Sequence, residues 1–281
     1  MKEFIQQIAS QLQAAYPAEE AEALAWWIAE ETTGLSRTQL LCGCKGTKNI
    51  PNLQDIIARL LHFEPIQYIF GHTEWRGLDL KVTPATLIPR PETAELVEMV
   101  KAKGERLKVK VLDIGTGSGC IAIALKKNHP EWEVTGIDIS AEAIEVAKEN
   151  AKRNGVVVEF KQCDIFSDSI GQIFNFQSSI FNSFDIIVSN PPYICEKEKA
   201  DMRPNVLDFE PHSALFVPDE DPLKFYRRIA SLHLGSQLFF EINEAYPTEM
   251  EAMLYEEGYT DMQVTKDIYG KARIIQARST R

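Results

Sequence analysis

From about Pro91 onward, segments with the character of β-strands alternate with segments that read as helices. The predicted strands are apolar runs near 109–113, 133–138, 156–160, 184–189, 236–242, 261–267 and 272–278. The last two are separated by Tyr269-Gly270-Lys271 and are predicted to form a closing antiparallel hairpin. This alternation favours a mostly parallel sheet with helices on both faces. Open sheets of this kind bind ligands at the carboxyl ends of their strands, so a site is expected there.

A glycine-rich turn, Asp113-Ile114-Gly115-Thr116-Gly117-Ser118-Gly119, joins the first of these strands to a helix predicted from about Gly119 to Lys127. A strand, a glycine turn and a helix N-terminus form the nucleotide-binding corner of an open α/β sheet. Glycine lets the backbone approach a ligand that a Cβ would block. The G-x-G-x-G spacing and the acid that precedes it suit a cationic sulfonium ligand with an amino-acid tail better than a pyrophosphate.

Two further acids follow the next strands. Asp138 ends the second predicted strand 19 residues beyond Gly119, where a ribose diol would lie. The alternative for Asp138 is an N-terminal cap of the helix that starts near Ser140. Asp164 follows the third strand and could accept a hydrogen bond from an adenine amino group, with Ile165 as an apolar wall. The alternative for Asp164 is an acid on a surface loop.

The run Phe184–Ser189 reads as a buried strand that ends abruptly at Asn190-Pro191-Pro192-Tyr193. Proline fixes φ and removes an N–H donor, so this turn is stiff and its carbonyls are free to face a ligand. Asn190 offers a carbonyl acceptor, and Tyr193 offers an aromatic face. Together these groups suit the binding of a planar NH2 group next to an electrophilic methyl. A plain Pro-Pro turn that ends a strand is the alternative.

The first part of the chain is predicted to be a helical bundle. Its first helix has one apolar face, and a second helix begins at Pro17 and ends near Gly34. Ser36 and Asn52 are predicted to cap two further helices. The segment 73–82 is predicted to be a hairpin that turns near Arg76-Gly77 and joins the bundle to the rest of the chain.

These features together resemble class I S-adenosylmethionine-dependent methyltransferases that act on planar amino or amide nitrogens. Pro65-Ile66-Gln67-Tyr68-Ile69-Phe70-Gly71 and Ile88-Pro89-Arg90-Pro91-Glu92-Thr93 narrow the resemblance to the HemK/PrmC protein-glutamine methyltransferases. The resemblance covers nearly the whole chain. It implies an α/β fold with a Rossmann-like, mostly parallel seven-stranded sheet, preceded by a small helical bundle. It also implies a substrate-docking domain at 1–72, a β-hairpin linker at 73–90 and a methyltransferase domain at 91–281.

Enzymes of this family methylate the side-chain amide nitrogen of the glutamine in the Gly-Gly-Gln loop of class 1 peptide chain release factors, which tunes translation termination. The resemblance implies S-adenosyl-L-methionine as cofactor, S-adenosyl-L-homocysteine as its product, and a release factor as protein partner. The expected cofactor contacts are Gly115, Thr116, Gly117, Ser118, Gly119, Asp138, Asp164, Ile165 and Asn190. The expected glutamine pocket comprises Asn190, Pro191, Pro192 and Tyr193, with Asn190 and Tyr193 as the catalytic residues.

Two segments depart from the family pattern. The segment 166–184 is long and rich in Ser, Phe and Asn. Asn243 stands where a glycine is common, so the backbone geometry of that loop is open.

Composition argues against several classes of protein. The chain has 281 residues, of which 44% are hydrophobic and 25% charged, as in a two-domain globular protein. No apolar run reaches the roughly 18 residues of a membrane span, and the first residues lack a signal-peptide core, so a cytoplasmic protein without membrane contact is expected. The five cysteines fit no zinc pattern and the five histidines are dispersed, so no metal site is predicted. A net charge of −11 argues against direct binding of nucleic acid, and the resemblance implies a monomer.

Three other functions stay open at this point. A methyltransferase acting on adenine or guanine amino groups of nucleic acid would share the glycine turn and N-P-P-Y, but it would need a basic groove. A non-catalytic protein that binds the cofactor and docks partners through its bundle would leave Asn190 and Tyr193 without a role. A dehydrogenase is disfavoured by the spacing of the glycines and by Asp113.

Overall fold

The computed structural model describes residues 2–44, 52–103, 108–167, 170 and 183–280. The chain divides into two compact units, of which the first comprises Met1–Gly71 and Arg203–Phe209. The second comprises His72–Met202 and Glu210–Arg281, and it therefore includes the hairpin. Most of the long segment 166–184 lies outside the described residues. Among those residues, no helix combines the length and apolar character needed to cross a bilayer.

The first unit is helical. Its elements before residue 72 are α1 (Lys2–Leu12), α2 (Ala18–Thr33), α3 (Arg37–Leu41), α4 (Leu53–Leu61) and α5 (Ile66–Phe70). They enclose one apolar core, to which α1 contributes Ile5, Ile8, Ala9 and Leu12. These positions follow the helical repeat, so one face of the helix is buried.

The ends of these helices test the predicted caps. Gly34 ends α2 in the left-handed conformation, with φ of 68°. Ser36 caps α3 as predicted, because its Oγ accepts a hydrogen bond from the Gln39 amide. The predicted cap at Asn52 is wrong. Asn52 directly precedes α4, but its φ of 66° is left-handed and its side chain makes no capping bond; the extended backbone that directs a capping side chain toward the helix is missing.

The second unit contains the hairpin and the sheet. Its strands are β1 (His72–Trp75), β2 (Leu78–Lys81), β3 (Lys110–Ile114), β4 (Glu133–Asp138), β5 (Glu159–Gln162), β6 (Phe184–Ser189), β7 (Ile194–Cys195), β8 (Phe216–Val217), β9 (Gly235–Glu241), β10 (Tyr259–Lys266) and β11 (Ala272–Ser279). The later helices of the chain are α6 (Thr93–Lys101), α7 (Cys120–Asn128), α8 (Ala141–Arg153), α9 (Pro204–Leu207, in the first unit), α10 (Lys224–Ser231) and α11 (Pro247–Glu256).

Seven strands form one sheet in the order β10-β11-β9-β6-β3-β4-β5. The five strands from β9 to β5 are parallel, and β11 pairs antiparallel with both β9 and β10. The predicted α/β fold and the closing hairpin are confirmed. The third strand, predicted at 156–160, begins late, at Glu159. The residues before it belong to the C-terminal end of α8, where Gly155 has φ of 68° and the Val156 amide donates a hydrogen bond to the carbonyl of Ala151.

Both faces of the sheet are covered, as a parallel sheet requires. Successive residues of β3 alternate between the two cores: Val111 lies in one, and Leu112 and Ile114 lie in the other. Strands β3 and β6 are direct parallel neighbours. The glycine turn that follows β3 and the proline turn that follows β6 therefore leave the sheet side by side at the same edge.

Candidate active site

A cavity of about 340 Å³ lies at this edge of the second unit. Turns after four neighbouring strands line it. Of the predicted site residues, the lining includes Gly115, Thr116, Gly117, Ser118, Asp138, Asp164, Ile165, Asn190, Pro191 and Pro192. Gly119 and Tyr193, which are also predicted site residues, do not line this cavity.

The glycine turn folds back over the end of β4. Gly115 and Gly117 have φ of 72° and 54°, a left-handed conformation that favours glycine. The amides of Gly115 and Thr116 both donate to the carbonyl of Ile137, each at 2.9 Å. The Gly117 amide donates to Oδ2 of Asp138, also at 2.9 Å. The turn and the acid after β4 thus form one hydrogen-bonded wall of the cavity.

Gly119 lies where neighbouring elements pack closely together. It has φ of 82°, and an added Cβ would lie 3.1 Å from Cβ of Ala147 and 3.2 Å from Cζ of Phe160. The absence of a side chain lets the start of α7 lie close to α8 and β5. Gly119 therefore allows the close approach of helix and sheet, and its predicted contact with the cofactor stays a prediction.

Asp138 accepts hydrogen bonds on both carboxylate oxygens. Oδ1 accepts from the Ser140 amide at 2.9 Å, and Oδ2 accepts from Gly117. The cap of α8 is Ser140, whose Oγ accepts from the Ala143 amide at 3.1 Å. Burial raises the pKa of Asp138, and the backbone donors oppose that rise. Asp138 lines the cavity, so its carboxylate is placed to accept a hydrogen bond from a ligand hydroxyl.

Asp113 lies behind the turn and is fully buried. Its Oδ2 accepts a hydrogen bond of 2.6 Å from the Thr116 hydroxyl. Burial raises the pKa of Asp113 to about 7, and the bond from Thr116 opposes the rise. The carboxyl therefore holds the glycine turn in shape from inside the protein.

An aromatic pair extends the wall that begins at Asp164 and Ile165. Oδ1 of Asp164 accepts from the Phe166 amide at 2.8 Å, which closes a local turn. The rings of Phe166 and Phe225 meet edge to face, with centroids 5.4 Å apart, and both residues line the cavity. This geometry suits a flat aromatic ligand. Sequence reasoning missed the pair, because Phe225 lies on α10, far away along the chain.

Asn190 is half-buried and bonded through its amide nitrogen. Nδ2 of Asn190 donates to Oγ1 of Thr93 at 3.2 Å, and the Thr93 hydroxyl donates to Oε2 of Glu241 at 2.7 Å. The residue before Asn190 fixes the strand end, since Oγ of Ser189 donates to the carbonyl of Ile114 at 2.6 Å. The side chain of Asn190 is thus held by Thr93, and the residue lines the cavity.

Tyr193 packs against the core beside β9. Its hydroxyl donates to Oε1 of Glu241 at 3.0 Å, and its carbonyl accepts from Nδ2 of Asn243 at 3.1 Å. Burial first, and then the adjacent Glu241 carboxyl, raise the pKa of Tyr193 well above its usual value. Residues at the end of β9 therefore hold the proline turn.

The structure shows the backbone geometry of the loop in which Asn243 stands where a glycine is common. Asn243 is not among the positive-φ residues of the described chain, so the loop needs no glycine conformation here. Oδ1 of Asn243 accepts from the Ala245 amide at 2.9 Å while Nδ2 bonds Tyr193. The side chain closes the loop locally and also reaches the proline turn.

Sequence reasoning did not assign roles to Thr93 or Glu241. The signal for Glu241 is an acid that interrupts the apolar run Leu238–Ile242 at the carboxyl end of a strand. Thr93 belongs to the matched I-P-R-P-E-T signature. Both residues are almost fully buried. Among the described residues, no group of three or more His, Cys, Asp and Glu side chains could hold a metal ion.

Comparisons with solved structures show the fold. The hMettl16 catalytic domain in complex with the MAT2A 3'UTR hairpin 1 matches 98% of this chain and 91% of its own, with a TM-score of 0.57 and 17% identity. The human methyltransferase 10 domain containing protein matches 82% of this chain and 100% of its own, with a TM-score of 0.52 and 19% identity. Both similarities agree with the predicted methyltransferase fold.

Comparisons of sequence are more specific. A methyltransferase domain model matches residues 106–256, and a PrmC N-terminal domain model matches residues 3–71. The release factor glutamine methyltransferase of Bacteroides thetaiotaomicron is 46% identical, over 96% of this chain and 97% of its own. That of Flavobacterium psychrophilum is 39% identical, over 98% of this chain and 96% of its own. The predicted resemblance is confirmed: this chain belongs to the release factor glutamine methyltransferase family.

Proposed function

We propose that this protein transfers a methyl group from S-adenosyl-L-methionine to the side-chain amide nitrogen of the glutamine in the Gly-Gly-Gln motif of class 1 release factors. Membership of the family supports this function. The observation that carries it is the position of Asn190 and Pro191 in the same cavity as the glycine turn and Asp138. The site for the methyl donor therefore lies next to the groups that can bind a carboxamide.

The lining fits a nucleoside with an amino-acid tail. The glycine turn would hold the methionine portion, Asp138 would accept from the ribose hydroxyls, and Asp164 with Ile165 would flank the adenine. The cavity volume of about 340 Å³ lies in the range of small-molecule sites. S-adenosylmethionine supplies an electrophilic methyl group on a sulfonium, so the protein's tasks are alignment and the handling of charge.

The acceptor nitrogen needs orientation because its lone pair is delocalised into the carbonyl of the glutamine. Oδ1 of Asn190 and the carbonyl of Pro191 would accept the two N–H groups and fix the plane of the carboxamide. Proline contributes no N–H, so the turn offers acceptors without a competing donor. The methylated nitrogen loses one proton, which solvent can accept. Tyr193 directly follows the lining residue Pro192, and we propose it as a second catalytic residue whose ring would pack on the amide plane of the bound glutamine.

A protein substrate agrees with the charge of this chain. A net charge of −11 opposes binding to phosphate backbones and favours a basic partner surface. We assign substrate docking to the helical domain at 1–72, linked through 73–90 to the catalytic domain at 91–281. We also propose a monomer, and a cytoplasmic location because release factors act in translation.

Mass spectrometry of the substrate tests this function. Purified release factor is incubated with the protein and S-adenosylmethionine, and the digest is searched for one added methyl group. The proposal expects it on the glutamine of Gly-Gly-Gln, and expects none when that glutamine is replaced by glutamate. Labelled DNA and RNA are run in parallel. Methyl transfer to nucleic acid, with an unmodified release factor, would overturn the proposal.

A further inference from the structure

Three side chains from separate elements form one hydrogen-bond chain that begins at the cavity, whose lining includes Asn190 and Thr93. Nδ2 of Asn190 lies 3.2 Å from Oγ1 of Thr93, which lies 2.7 Å from Oε2 of Glu241. Asn190 follows β6, Thr93 begins α6 and Glu241 ends β9. Thr93 is 2% exposed and Glu241 3% exposed, so water does not substitute for either partner. The geometry of Asn190 is therefore set from within the protein.

The chemistry of the chain fixes the direction of each bond. An ionised carboxylate only accepts hydrogen bonds, and both oxygens of Glu241 receive hydroxyl donors, from Thr93 and from Tyr193. Thr93 has one hydroxyl hydrogen, which it donates to the carboxylate of Glu241. Toward Asn190, the oxygen of Thr93 can then only accept, so the atom of Asn190 that faces it is the amide nitrogen.

This direction matters because an asparagine amide is nearly symmetric in shape. A rotation of 180° exchanges its acceptor and its donors with little change in packing. A substrate carboxamide presents N–H groups, which need the oxygen; the flipped side chain would place two donors against each other. Among the described residues, no hydrogen bond occupies Oδ1 of Asn190, so this oxygen stays available to a ligand.

We infer that Thr93 and Glu241 are positioning residues that hold the amide oxygen of Asn190 toward the substrate carboxamide. The inference rests on the proposed function and deepens it: the carboxylate specifies one orientation of the residue that binds the nucleophile. Glu241 accepts one hydroxyl donor at each carboxylate oxygen, from Thr93 and from Tyr193, which is the arrangement of an ionised carboxylate. Burial raises the pKa of Glu241, and the bonds from Thr93 and Tyr193 oppose that rise; repulsion from Glu92 adds to it, and the charge of Arg273 opposes it more weakly.

Two substitutions at Thr93 separate the effect of its hydroxyl group from the effect of its side-chain shape. Thr93→Val has the same outline but no hydroxyl, and Thr93→Ser keeps the hydroxyl without the methyl. We expect Thr93→Val to lower kcat about 10- to 100-fold, and Thr93→Ser to stay within about 3-fold of wild type. The dissociation constant of S-adenosylmethionine should change less than about 3-fold in both variants, which also shows that they are folded.

Glu241→Gln gives a second test at the far end of the chain. Its amide offers one acceptor and one donor group where two hydroxyl donors converge, so the chain of bonds can reverse. We expect a fall in kcat of similar size with cofactor affinity retained. Glu244→Gln is the matched control, because Glu244 lies three residues away and forms an exposed ion pair with Lys271; its kcat should not change.

The outcomes separate this inference from the proposed function. If the wild-type protein does not methylate release factor, the proposed function fails and the inference fails with it. If wild type is active and Thr93→Val or Glu241→Gln keeps its kcat, the inference alone is overturned. An equal loss in Thr93→Ser and Thr93→Val also overturns it, because packing would then explain the effect. So does a loss of cofactor affinity as large as the loss of kcat.

Discussion

The substitution Asn190→Ala tests the proposed chemistry most sharply among single changes. It removes the acceptor that is predicted to orient the glutamine nitrogen, and it leaves the glycine turn, Asp138 and the proline carbonyls in place. The partner of Asn190 in the protein is Thr93, which only accepts a hydrogen bond from it. Its loss leaves no buried donor unsatisfied, so the protein should fold normally.

The structure sets the size of the effect. One amide group of Asn190 is used by Thr93, so a single hydrogen bond to the substrate is at stake. A hydrogen bond to a group that gains charge is worth about 1.5–3 kcal/mol. At 1.4 kcal/mol for each factor of ten, this corresponds to a fall in kcat of about 10- to 150-fold. The cofactor keeps its other contacts, so its dissociation constant should rise by much less.

The assay is the initial rate of methyl transfer to release factor at saturating cofactor, together with calorimetric titration of S-adenosylmethionine. Asn128→Ala is the control, because Asn128 is exposed at the end of α7 and does not line the cavity. A kcat close to wild type in Asn190→Ala would refute the role of this acceptor. A loss confined to cofactor affinity would place Asn190 in the donor site alone.

Three further predictions concern stability, measured by urea denaturation. Gly119→Ala should cost about 2–4 kcal/mol, because it adds left-handed strain at φ of 82° to contacts of 3.1 Å; a loss below 1 kcal/mol contradicts the packing role. Asp113→Asn should stabilise the protein more at pH 8 than at pH 5. The pKa of Asp113 is about 7 in the native state, against 3.8 for an exposed carboxyl, so the wild type loses up to about 4 kcal/mol of stability as pH rises and this carboxyl ionises. If the free energy of unfolding differed between variant and wild type by the same amount at pH 8 and pH 5, this prediction would be contradicted. Arg90→Ala should cost about 3 kcal/mol because it leaves the buried Glu210 carboxylate without its cation; Glu210→Gln added to it should recover part of the loss.

Local patterns in the sequence were sufficient for the sheet and its ligand edge. Apolar runs located the strands, and glycine and proline marked the turns after β3 and β6. The errors have local causes as well. The third strand begins late because the end of α8 uses the amide of Val156, and Asn52 does not cap α4 because its backbone is left-handed. A single sequence window does not reveal such backbone conformations.

The supporting residues of the site depend on contacts between distant segments. Asn190 is 97 residues from Thr93, and Tyr193 is 48 residues from Glu241. Only the order of strands brings β9 next to β6 and makes these bonds possible. The same holds for the aromatic pair, because Phe225 reaches the cavity from α10. Sequence motifs identified the turns that face the ligand, and the fold identified the side chains that hold those turns.

A crystal structure with S-adenosylmethionine and a peptide containing Gly-Gly-Gln would test the central claim directly. The methyl carbon should lie about 3–3.5 Å from the glutamine nitrogen, whose hydrogens should point to Oδ1 of Asn190 and the carbonyl of Pro191. The adenine should lie beside Ile165 and the ribose beside Asp138. A methyl group directed away from Asn190, or a glutamine bound outside this cavity, would contradict the account.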